Sequence, residues 1–99
     1  MASDLTNAQI ARLKGLAQRM EATLKVGRAG LSPGFLEMLR IELDRHELVK
    51  VKFAEFKEQK KSLAPEMAEK TGARLVTLIG NVAVLYRPNE AEEKRKVRL

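Results

Sequence analysis

The 99-residue sequence contains no cysteine, which excludes disulfides, thiolate nucleophiles and Cys-ligated zinc or iron–sulfur centres. Its single histidine, His46, argues against a His-based metal site or a Ser-His-Asp triad. Aromatic residues are scarce: three phenylalanines and one tyrosine cannot build the stacking sheet of a protein that reads single strands base by base. The most apolar stretch, residues 75–86, is interrupted by Thr77, Gly80 and Asn81 and falls short of the roughly 20 residues a membrane span needs. The first fifteen residues carry Asp4 and no apolar segment of the signal-peptide kind. The expectation is a cytoplasmic protein without cofactor, metal or membrane partner, and not an enzyme.

What the chain has in excess is positive charge. Nineteen lysines and arginines face thirteen acids, a net charge of +6 and a pI near 9.9. That surplus points to a polyanionic partner. It is uneven: residues 1–30 and 48–64 are basic, whereas residues 31–47 are acidic. At 44% apolar and 11.1 kDa, the chain suits one globular domain with one core.

Hydrophobic spacing divides the chain into alternating helices and strands. Thr6 and Gln9 have capping-box spacing, and Ile10, Leu13, Leu16, Ala17 and Met20 recur with a helical period. Arg12, Lys14 and Arg19 fall outside that stripe. Ala22, Leu24 and Val26 alternate with polar residues as in a short strand. Ser32 and Pro33 suit the cap and first position of a helix running to about Arg45, with Phe35, Leu36, Leu39 and Leu43 inward. Val49, Val51 and Phe53 alternate with Lys50 and Lys52, a strand with one apolar and one cationic face. A third helix is expected over residues 62–71, closed by Gly72, and Pro65 is tolerable there only within the first turn. Two strands, 75–79 and 82–87, flank a Gly80-Asn81 turn as a hairpin.

The order α-β-α-β-α-β-β describes an α/β domain of two or three layers on a mixed four-stranded sheet. Because residues 75–79 are apolar on both faces, the hairpin is expected inside the sheet, with helices on both sides. Residues 1–88 form the domain in this reading, and the charged residues 89–99 a loose tail.

The segment Gly27-Arg28-Ala29-Gly30 carries the most chemistry. Two glycines three apart let the backbone approach a partner closely. A helix starting just beyond them would aim its free N–H groups at the same place, and Arg28 adds a forked phosphate donor. Alone, the spacing is more often that of an ordinary strand-to-helix turn. It is not a nucleotide-hydrolysing phosphate loop, since no Gly-Lys-Ser/Thr follows.

Several blocks together resemble a known family. Leu13-Lys14-Gly15-Leu16, then Val26 to Leu31, then His46 to Lys52, and finally Ile79-Gly80 with Val84 to Pro88, are similar in order and spacing to the CRM domain (chloroplast RNA splicing and ribosome maturation), in its stand-alone bacterial YhbY-type form. The resemblance implies a fold like the C-terminal domain of translation initiation factor three. It also implies a GxxG loop used on RNA, and association with precursors of the large ribosomal subunit. Carried over, the loop falls on Gly27, Arg28, Ala29 and Gly30, and the basic strand positions on Lys50 and Lys52. Ala29 stands where the family often has a polar residue, and Pro65 where it has a helix former.

The expected RNA-binding set is therefore Arg12, Lys14, Lys25, Gly27, Arg28, Ala29, Gly30, Lys50, Lys52 and Arg87, in a monomer. Tyr86 fits either a base-stacking role or a half-buried core position. His46 fits a helix C-terminus. A protein–protein adaptor, or a general nucleic-acid-binding module with no ribosomal role, is the alternative function.

Overall fold

A computed structural model of the protein describes residues 5–99; Asp4, used above against an export signal, lies outside the described residues. Helix α1 spans Asn7–Gln18, and its capping box is formed in full: the Thr6 side chain accepts from the Gln9 amide while the Gln9 side chain accepts from the Thr6 amide. Strand β1, Leu24–Val26, leads through the glycine turn into α2, Pro33–His46, capped by Ser32. Strand β2 is Leu48–Phe53, α3 is Lys60–Thr71, β3 is Arg74–Ile79 and β4 is Val82–Tyr86. Short 3₁₀ turns occupy Lys57–Gln59 and Glu92–Lys94.

The four strands form one mixed sheet in the order β1-β2-β4-β3, with β1 and β2 parallel and the other pairs antiparallel. Alternation along each strand sorts side chains to two cores. Leu24, Val26, Val49, Val51, Phe53, Ala83 and Leu85 meet Leu39 and Leu43 of α2 and Ala64, Met67 and Ala68 of α3. On the other face Leu48, Val76, Val84 and Tyr86 meet Leu13 and Ala17 of α1. The domain is thus three-layered, with helices on both faces as expected.

Only half of the hairpin lies inside the sheet. β4 is central and buried on both faces, but β3 is an edge strand, with a register irregularity between Leu75 and Thr77 and with Ile79 65% exposed. Its two-sided apolar pattern comes from lying between α1 and α3, not from strands on either side. The third helix starts two residues earlier than expected and carries Pro65 inside it, at an exposed position. There proline's missing N–H deprives only the exposed turn at Lys61 of a donor.

Residues 89–99, expected as a loose tail, make contacts with the domain. They fold back over the domain and converge on Glu47, which is 1% exposed and caps α2 with a φ of 64°. Its carboxylate accepts backbone N–H groups from Asn89 (2.5 Å), Lys96 (2.5 Å) and Val97 (2.8 Å). Val97 packs beside the α1 core, and the Arg12 Nε donates to the Arg98 carbonyl at 2.9 Å. A charged composition suggests solvation, but backbone amides carry no signature in composition, and they make this contact.

Candidate nucleic-acid interface

Gly27, Arg28, Ala29 and Gly30 form a tight turn closed by the Gly30 N–H donating to the Gly27 carbonyl at 3.0 Å. Arg28 and Ala29 stand at its two exposed corners. Gly30 has a φ of +63°, the left-handed region that a β-carbon disfavours. From below, the turn is tied to the loop after β2, where the Ala54 and Glu55 amides both donate to the Val26 carbonyl. The turn therefore sits at the carboxyl ends of the two parallel strands, on a fixed base.

The helix that follows contributes less than its position suggests. Pro33 has no N–H, the Phe35 amide donates to the Ser32 Oγ at 3.1 Å, and the Leu36 amide to the Ser32 carbonyl. The first turn of α2 thus presents the Gly34 amide at most, along with the positive end of the helix dipole. A phosphate at the glycine turn must be held mainly by the turn's own backbone and by side chains.

The cationic side chains beside the turn include Arg28, Lys25 and Lys52. Lys25 and Lys52 are register partners across the parallel strands, and both are exposed on the sheet face opposite α2 and α3. Two ammonium groups side by side repel one another unless an anion lies between them. The structure brings each member of this pair within one residue of the end of its strand, beside the glycine turn. A groove lined by Thr23, Lys25, Arg28, Phe35 and Met38 runs from the turn along the edge of β1.

Other predicted residues are placed elsewhere. The Lys50 Nζ donates to the carbonyls of Ala17 (3.0 Å) and Met20 (2.9 Å), so its charge closes the end of α1 in a half-buried position. Arg87 lies at the opposite end of the sheet, where the Leu48–Tyr86 register ends, about 20 Å from the glycine turn by strand rise. Its guanidinium donates to the carbonyls of Thr71 (2.7 Å) and Arg40 (3.2 Å) and pairs with Asp44. Both side chains are bound to carbonyl or carboxylate groups of the protein itself. Arg12 and Lys14 are exposed on α1. Tyr86 is 4% exposed and belongs to the core; burial first, and the Glu47 carboxylate second, raise its hydroxyl pKa. His46, exposed at the end of α2, lies 3.9 Å from Glu42.

Sequence reasoning missed Phe56. It follows β2, is 40% exposed, and holds a φ of 56° and ψ of 34°, with its ring against Gly30. The aromatic between Glu55 and Lys57 was visible, but its approach to a turn 26 positions away was not. Among the described residues no group of three His, Asp or Glu side chains could hold a metal ion, and no helix is long and apolar enough to cross a membrane.

A three-layered domain with an anchored GxxG turn and an exposed lysine pair beside it defines a small α/β protein with cationic side chains clustered at one end of its parallel strands. The chain matches the CRS1/YhbY (CRM) domain over residues 5–87 and belongs to that family. It is 38% identical over 87 residues to a Haemophilus influenzae protein named RNA-binding protein, a match covering 87% of this chain and 88% of the relative. A probable RNA-binding protein of Pseudomonas aeruginosa is 33% identical over 91 residues, covering 91% of this chain and 88% of that protein. Among solved structures, the solution structure of a Staphylococcus aureus protein proposed to bind RNA superposes with a TM-score of 0.76 at 28% identity, covering 96% of this chain and all of that one.

Proposed function

We propose that this protein binds RNA, without a catalytic step, by holding the sugar-phosphate backbone between the Gly27–Gly30 turn and the Lys25/Lys52 pair. The observation that carries this reading is the exposed register pair of lysines beside an anchored turn with Arg28 at its corner. The names of the relatives support RNA as the partner. The target proposed is ribosomal RNA in precursors of the large subunit, in the cytoplasm, supported by the family resemblance. Such binding reads shape and backbone more than sequence, and weakens with salt at a logarithmic slope of about −0.7 to −0.9 per phosphate contacted.

The test is the double variant Arg28→Asp with Ala29→Asp. Both positions are exposed corners, so the fold should survive. RNA binding should be lost, whereas a folded double variant that binds normally overturns the clamp. For the ribosomal target, the protein is sedimented from a native lysate on a sucrose gradient at low and raised salt. Co-migration with large-subunit precursors that fades with salt is the expected result, and migration at the top of the gradient at low salt rejects it.

A further inference from the structure

The reading above is about phosphates; Phe56 concerns the bases. Of the four aromatic side chains, Phe53 and Tyr86 are buried, Phe35 packs half-buried against the core, and Phe56 alone is exposed. It stands at the glycine turn: a β-carbon on Gly30 would lie 3.4 Å from its ring. Its backbone is left-handed, a conformation that is an outlier for a bulky residue and costs roughly 1–3 kcal/mol. A glycine or asparagine would occupy that corner with less strain. Part of the ring packs on Gly30, and 40% of the residue faces solvent.

The charges beside it are mixed: Glu55 and Lys57 flank it, Glu58 follows, and all three are exposed. The positive charge at the turn itself is concentrated in Arg28 and the Lys25/Lys52 pair. A nucleotide whose phosphate sits at the turn can direct its base toward an uncharged, exposed ring. We propose that Phe56 is a stacking surface for one unpaired base, so that the ligand class is RNA with a single-stranded nucleotide beside the clamped phosphate, not a continuous duplex. This inference rests on the RNA-binding reading above.

The experiment uses the full chain with two probes: a mixed-sequence RNA hairpin with single-stranded tails, and a blunt duplex of the same composition. Phe56→Leu keeps an apolar contact on Gly30 and removes the π face. It should weaken binding of the tailed hairpin about fivefold or more, leave duplex binding unchanged, and leave the salt slope unchanged because no phosphate contact is lost. Phe56→Trp restores the stack and introduces the sole tryptophan of the chain. Its emission should be quenched by the tailed hairpin and not by the duplex. Thermal unfolding of both variants separates loss of binding from loss of fold. Normal binding of the hairpin by Phe56→Leu, or unchanged tryptophan emission at saturation, overturns the stacking role while the phosphate clamp stands. Failure of the unmodified protein to bind either probe overturns both.

Discussion

Lys25 and Lys52 lie directly across from one another on the parallel strands β1 and β2, exposed on the same face of the sheet. Neighbouring strands are about 4.8 Å apart, so two like charges are held at close range by the backbone itself. A sheet gains nothing from such a pair in isolation. An anion between the two ammonium groups would relieve their repulsion.

Replacing either member should therefore separate stability from binding. Lys25→Thr or Lys52→Thr is expected to raise stability by about 0.5 kcal/mol at low salt, because repulsion is relieved and threonine suits a strand. Each should also weaken RNA binding and reduce the salt slope by about one. Thermal unfolding and a filter-binding salt series check the two halves. Unchanged binding in both variants would show that the pair does not meet phosphate.

Lys50 should behave in the opposite way. Its ammonium holds the Ala17 and Met20 carbonyls at the end of α1, so Lys50→Met leaves both without that donor and should cost about 1–3 kcal/mol. Arg87→Lys should likewise destabilise, since a lysine cannot reach Thr71, Arg40 and Asp44 at once. Below their unfolding temperatures, both variants should retain RNA affinity. Denaturant unfolding paired with binding at low temperature decides the matter.

The two glycines of the turn are predicted to differ. Gly30 has a positive φ and its β-carbon direction is occupied by the Phe56 ring, so Gly30→Ala should cost about 1–2 kcal/mol. Nothing lies within 4 Å of a β-carbon at Gly27, and its φ is not positive, so Gly27→Ala should leave stability within about 0.5 kcal/mol. A drop in RNA affinity in Gly27→Ala would then report close approach of the backbone to the ligand. Equilibrium unfolding of the pair, alongside binding of the second, provides the comparison.

Glu47 links the C-terminal segment to pH. Burial by itself would raise its pKa, but the amides of Asn89, Val97 and Lys96 and the charge of Arg95 outweigh it and hold the carboxyl below its ordinary 4.5. A carboxyl with a depressed folded-state pKa stabilises fully above its unfolded value and loses that contribution as pH falls through the folded one. Stability and protection of residues 89–99 from proteolysis should therefore decline as the pH drops below about 4.5. In Glu47→Gln that acid-induced component should vanish, with stability lower at neutral pH. Unfolding across a pH series, with limited proteolysis, measures both.

Much of this molecule is written locally. The Thr6–Gln9 box, the Ser32–Pro33 start, the Gly72 stop and the period-two alternation of Leu48–Phe53 each act within a few residues, so the sequence by itself determined the elements, their order and the glycine turn. It also determined the sign of the surface. What only the tertiary structure decided is which charges are free. Lys50 and Lys52 are equivalent in a strand pattern, yet one faces the end of a helix 30 residues away and the other faces solvent. Arg87 and Glu47 are ordinary charged residues in the sequence and become internal anchors through carbonyls and amides distant in the chain. Phe56 acquires its place only because the loop after β2 is tied to Val26. Hydrogen bonds to backbone groups have no sequence code, and strand order is set by the packing of whole faces. The residues that can meet a ligand are those left over once these contacts are made.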